Sequence, residues 1–174
     1  MLLNQRSQLS LKNKLKMIMK TLTNLLLITT VLVLFGCERK TVATEKLSEN
    51  LIKVGIMVIE CPKAVSAKID FGVRVNIKNT GGIVIPSLGK EGQLLQVGVT
   101  YHWRNFEEKI IVWDGLFTPL KSDIGLDQEQ LVNMSIKSPE IPGRYILDID
   151  LVQNSAFWFG AIGSQIARIM IDVV

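Results

Sequence analysis

The sequence is short of the residues on which most catalytic and metal chemistry draws. Histidine occurs once, as His102, and cysteine twice, as Cys37 and Cys61, in 174 residues. Without a Cys-x-x-Cys pair or a second histidine the usual zinc sites are excluded, and two thiols are too few for a disulfide framework. No nucleophile-elbow motif accompanies His102, so a Ser-His-Asp relay is not expected, and its default place is a surface or a sheet edge. Asn79-Thr80-Gly81-Gly82 precedes no helical pattern, so no phosphate-cradling loop is expected there. Asp148 and Asp150 share one strand phase with Ile146 and Val152, but no oxygen-rich loop accompanies them; a solvated strand face is expected rather than an acid-base or calcium pair. The sequence therefore predicts no catalytic residue, no metal and no cofactor.

A basic body is lacking too. The formal charge is +4, but Arg6, Lys12, Lys14, Lys16 and Lys20 lie in the first 36 residues, which hold no acid; the rest has 15 bases against 16 acids. A domain this close to neutral has no footprint for a phosphate backbone, so no nucleic-acid partner is expected. At 48% hydrophobic and 21% charged residues the chain falls in the globular range. It holds one long apolar run, residues 22–35, with Thr23, Asn24, Thr29 and Thr30 as its only breaks. That is short of the ~20 residues that span a bilayer. With bases before it and a small residue after it, the run has the plan of a secretory signal. An uncleaved single-pass anchor ending near Glu38 is the other reading.

Leu34-Phe35-Gly36-Cys37 resembles the bacterial lipobox, in which a signal peptidase cuts after a small residue and the next cysteine takes a diacylglyceryl group on its thiol. The resemblance implies a lipoprotein held in the membrane by palmitate-type chains on Cys37. Two or three acyl chains would give the durable anchoring that one cannot. Glu38 stands where enteric lipoproteins kept at the inner membrane carry aspartate, which implies an outer membrane if the organism has one. The expected layout is a signal peptide over residues 1–36, with Met19 as the start that gives the more usual signal length, then a lipidated cysteine and polar tether over 37–50, then a domain over 51–174. As a flexible chain the tether would reach roughly 20 Å. With Cys37 consumed by lipid, Cys61 has no partner, and its apolar neighbours predict a buried, inert thiol.

From Leu51 onward the dominant period is two, the signature of strands. Phe71, Val73, Val75 and Ile77 alternate with polar or small residues up to the turn sequence Asn79-Thr80-Gly81-Gly82. Leu95, Val97, Val99, Tyr101 and Trp103 alternate with Gln96, Gly98, Thr100 and His102. Glu108 to Trp113 reads as a returning strand that closes on Asp114-Gly115, a two-residue hairpin signal. Further alternation follows over 132–136, 145–151 and 169–173, and Gly115 to Gln130 reads as the longest loop. Seven or eight short strands without a convincing helix predict an all-β fold, a two-sheet antiparallel sandwich. Gly143-Arg144-Tyr145 looks like a tyrosine corner, which favours an immunoglobulin-like topology.

The cadence of Asn79-Thr80-Gly81, Tyr101-His102-Trp103, Asp114-Gly115, Pro142-Gly143-Arg144-Tyr145 and Phe157-Trp158-Phe159 resembles the immunoglobulin-like module beside bacterial enzymes of cell-surface polysaccharide synthesis. More distantly it is similar to the four-tryptophan domain of a eukaryotic autophagy receptor. The resemblance implies a non-catalytic binding or scaffolding role and supplies no active-site residue.

Phe157-Trp158-Phe159 is the most suggestive recognition element. Neighbours on an extended segment point to opposite faces, so the three rings cannot all enter the core. Either the segment plugs an open end of the sandwich, which is favoured, or a ring lies free to stack on a sugar or a protein partner. Trp113 is the second candidate, with cross-strand packing as its alternative. The expected partners are membrane lipid through Cys37 and an envelope polysaccharide or envelope protein.

Overall fold

The computed structural model describes Lys16, Met19, residues 40–90 and residues 93–174. The lipobox, with Cys37 and the signal run, lies outside the described residues. Contacts divide the chain into Met1–Glu38 and Arg39–Val174, and the fold below is that of the second unit.

Among the described residues the chain forms ten strands: β1 (Val54–Glu60), β2 (Ala64–Val65), β3 (Asp70–Asn79), β4 (Val97–Asn105), β5 (Ile110–Val112), β6 (Thr118–Pro119), β7 (Glu129–Lys137), β8 (Gly143–Gln153), β9 (Phe157–Trp158) and β10 (Ala167–Val173). One sheet has the order β1-β3-β7; the other runs β2-β10-β8-β4-β5, with β6 also on β4 and β9 also on β8. Among the described strands only β2 pairs in parallel, against β10. The architecture is an all-β sandwich, as the period-two pattern predicts, with the immunoglobulin-like strand order that the tyrosine corner favours.

Every second residue of β3 and β7 enters the space between the sheets: Val73, Val75 and Ile77 from one, Val132, Met134 and Ile136 from the other. Trp103 on β4 is wholly buried and meets Phe71 and Tyr145 at ring-centroid distances of 6.4 and 6.1 Å. Its indole donates to the Lys137 carbonyl at 2.9 Å, so the one polar atom of the largest core residue is satisfied. The tyrosine corner is present: the Tyr145 hydroxyl donates to the Ile141 carbonyl at 2.8 Å. Tyr145→Phe is expected to lower stability in urea unfolding by about 0.5–1.5 kcal/mol, the usual worth of one such bond, with the denaturant slope unchanged. Cys61 is half-buried and free, and burial pushes its thiol up to about 11. It is protonated at neutral pH and therefore a poor nucleophile.

The structure departs from the sequence reading in four places. Asp114-Gly115 is not a hairpin turn. The reversal after β4 falls at Phe106–Lys109, where Asn105 and Lys109 close the turn. The chain then runs back along the whole of β4: Val112 pairs with Trp103, the Gly115 N–H bonds the Tyr101 carbonyl, and Thr118 pairs with Val99. Thus β5 and β6 are two halves of one edge strand, and Asp-Gly marks the bulge between them. The longest connection is 80–96, between β3 and β4, rather than 115–130.

The third departure is on the outer face of the large sheet, where β4 and β8 are buried on both sides instead of wet on one. The bulge and the segment after β8 fold over that face, so His102, Asp148 and Asp150 are covered residues and not surface ones.

Last, the stretch read as a flexible tether is bound to the sandwich from Thr41 onward. Thr41 gives its backbone N–H to both oxygens of Asp123, at 3.0 and 2.8 Å, and its hydroxyl to Oδ2 at 2.6 Å. The same carboxylate accepts the N–H and hydroxyl of Ser87. Val42 bridges to Leu88, and the buried Gln153 amide accepts from the Leu47 N–H and donates to the Glu45 carbonyl. A polar sequence with no hydrophobic period is here held by fixed polar partners, which periodicity cannot register.

Candidate functional site

Side chains of alternate residues on β4 and β8 point to the outer face, and register brings Thr100, His102 and Arg104 beside Asp150, Asp148 and Ile146. One row continues onto β10, where Arg168 lies opposite Asp148. The roof then adds aromatics. Trp113 leaves the edge-strand bulge and stacks on His102, with ring centroids 4.7 Å apart and planes inclined by 27°. Trp158, on β9 opposite Val152, meets the same imidazole edge-on at 4.6 Å and Trp113 at 5.7 Å. The two tryptophans singled out from the sequence thus form one shelf with the lone histidine wedged between them. Trp113 is 51% exposed, His102 only 5%, and Trp158 is half-buried.

The histidine is fixed as well as covered. Its Nδ1 lies against the carbonyl of Trp113; a carbonyl only accepts, so that nitrogen carries the proton and the contact pins the bulge to the sheet. Glycine makes the bulge feasible. A Cβ on Gly115 would lie 2.6 Å from the Tyr101 ring, and one on Gly98 would lie 2.3 Å from the Phe117 ring that covers it.

Phe157-Trp158-Phe159 splits as alternation demands. Phe159 is completely buried in the core, Trp158 joins the shelf, and Phe157 stacks on Phe159 at 5.5 Å with the Lys46 ammonium 5.3 Å from its ring centroid. Asp150 clamps the segment: its carboxylate accepts the Gly160 N–H at 3.0 and 3.1 Å and the Leu151 N–H at 2.7 Å. A Cβ at Gly160 would lie 2.7 Å from Asp150 Oδ2, so the clamp needs glycine there. Burial pushes the Asp150 carboxyl above its ordinary value, and the two N–H donors offset only part of this.

Asp148 is the electrostatic centre of the row. It has no exposed side-chain surface, and its oxygens accept from Arg168 Nε at 2.8 Å, Arg168 Nη2 at 3.0 Å and Arg104 Nε at 2.7 Å. Burial alone would raise its pKa; the hydrogen bonds and charges of the two guanidinium groups overcome that and hold it below the ordinary carboxylate value. Glu108 lies 3.5 Å from Arg168 and completes a network of two acids and two bases. Among the described residues, no group of three or more histidine, cysteine or acidic side chains has the spacing to hold a metal ion.

A concavity of about 620 Å³ opens at the end of the sandwich where β4 finishes. Tyr101, Ile111, Leu116, Ile141 and Tyr145 line it, and Ile141 is 71% exposed. Sequence reasoning did not find this pocket, because its lining comes from three separate loops and strand ends.

No family model matches the chain, and no curated protein does. Among solved structures, the CARDB domain of a Pyrococcus furiosus protein, crystallised in complex with di-metal ions, is 18% identical with a TM-score of 0.42, over 71% of this chain and 87% of that one. A β-glucosidase from Listeria innocua in complex with glucose is 12% identical with a TM-score of 0.43; the match covers 70% of this chain and only 16% of the enzyme. At these identities and scores neither likeness bears on what this chain binds or does.

Proposed function

We propose that the chain is a membrane-anchored lipoprotein whose sandwich is a non-catalytic binding module for envelope glycan. The anchor is the acylated thiol of Cys37; the recognition surface is the Trp113–His102–Trp158 shelf. The observation that carries the second part is the half-exposed Trp113, held rigid by stacking on a buried histidine. A fixed aromatic face of this kind presents apolar area to the C–H face of a pyranose without an ordering cost at binding. Beside it, the exposed side chains of Arg168 and Glu108 offer donors and acceptors for sugar hydroxyls.

Retention of the protein on polysaccharide from its own envelope tests the reading. Trp113→Ala and Trp158→Ala are each expected to abolish most of the retention while the far-ultraviolet circular dichroism stays native. Retention unchanged in both variants would overturn it. The anchor is tested separately: radioactive palmitate should label the wild-type chain and leave Cys37→Ala unlabelled.

The apolar pocket favours a second reading, a structural or assembly subunit that docks an envelope protein at Ile141 and Leu116. In that case Ile141→Glu would release co-purifying envelope protein, and the tryptophan variants would not.

A further inference from the structure

The bound amino-terminal segment converts an anchor into an orientation. Thr41 is locked to Asp123, and through it to Ser87. Three residues separate Cys37 from Thr41, so the four steps between them span at most about 14 Å of extended chain. A lipid on Cys37 would therefore keep Thr41, and the loop bonded to it, within that distance of the bilayer surface.

The same end of the sandwich exposes apolar side chains. Val42 is 51% exposed, Leu88 36% and Leu94 43%. They arise from adjoining backbone: Leu88 gives its N–H to the Thr41 carbonyl at 3.2 Å, and Lys90 gives its N–H to the Leu94 carbonyl at 2.7 Å. Leu95 and Gln96 continue from there directly into β4, tied to Asn154 by two backbone bonds. Three exposed aliphatic side chains at the point where a lipidated chain enters the domain have a ready apolar partner in that lipid.

We infer that the end carrying Val42, Leu88 and Leu94 rests on the lipid surface, so that the sandwich stands on the membrane in a fixed attitude instead of swinging on a tether. This rests on the anchor reading above; its occupant is the bilayer that holds Cys37. The strands then rise from the surface. From Val97 to Asn105, β4 climbs about 27 Å, and His102 lies about 17 Å along it. The aromatic shelf faces sideways at mid-height, and the Ile141 pocket points away from the lipid.

Site-specific quenching tests the attitude in the full lipidated protein. Bimane is placed at Leu94→Cys or at Ile141→Cys in a Cys61→Ala background, and the protein is reconstituted in vesicles of phosphatidylethanolamine and phosphatidylglycerol containing a nitroxide-headgroup lipid. The label at position 94 is expected to be quenched severalfold more than the label at 141. Equal quenching in protein that carries the acyl group would overturn the attitude and leave the anchor standing. Protein that incorporates no acyl group would overturn both.

Discussion

Phe159→Ala is expected to destabilise the domain by about 3–5 kcal/mol, the range for emptying a fully buried aromatic site, and to weaken glycan retention with it. The ring has no exposed surface, and it holds the roof in register. The Phe159 N–H bonds the Leu151 carbonyl at 2.9 Å, and its carbonyl receives the N–H groups of Ile162 and Ser164. One residue earlier is Trp158, one residue later the Gly160 amide that Asp150 clamps. Losing the ring therefore removes core volume and loosens the strand that positions half of the shelf. Urea unfolding followed at Trp103 gives the stability term. A loss below about 0.5 kcal/mol, the scale of a surface substitution, would mean that the segment is held by its hydrogen bonds alone.

The second large effect is expected at Asp148. Asp148→Ala leaves two guanidinium groups facing each other across the empty position. A fully buried pair broken this way costs about 3–5 kcal/mol; here about 2–4 is expected, because Arg168 keeps 43% of its side chain in solvent and Arg104 23%. The same residue sets a pH dependence. Its folded pKa lies below the ordinary carboxylate value, so its contribution is fully present above about pH 4, the unfolded value, and is lost as pH falls through the folded one. Asp150 acts in the opposite sense: with its folded pKa raised, its contribution is largest below the ordinary value and falls as pH rises through the folded pKa. In Asp148→Ala the acid limb of the stability profile should flatten, leaving the contributions of Asp123 and Asp172, whose hydrogen-bonded carboxyls are also held below their ordinary value. An unchanged acid limb would show that Asp148 is not the group whose protonation matters.

Much of this was legible in the residues. The core phases of β3, β7 and β8 follow from alternation of side chains, and Tyr145 after Pro142-Gly143 carries its corner in sequence. Trp158 was identifiable as a candidate because three neighbouring aromatics cannot all be absorbed by a period-two core, and Trp113 because it stands beside Asp114-Gly115, which reads in sequence as a hairpin turn. What the sequence could not show is that the two meet. Residues 113 and 158 come together only through the β5–β4–β8–β9 pairing, which is a property of sheet order and not of local pattern. His102 was misread for the same reason: its polar phase predicts solvent, and solvent is displaced by a roof contributed from elsewhere in the chain. Gly98 was the available signal, since a glycine inside a good strand pattern marks close approach of another segment, here the Phe117 ring. The bound segment 41–47 left no mark, because its partners Asp123 and Gln153 lie more than eighty residues away.

The shelf as a glycan site is tested most directly by the indole N–H resonances of the three tryptophans during titration with the protein's own envelope polysaccharide. Trp113 and Trp158 should shift or broaden together, and Trp103, whose indole is committed to the Lys137 carbonyl in the core, should stay in place. Saturating polysaccharide that leaves the Trp113 and Trp158 signals unmoved would contradict the account.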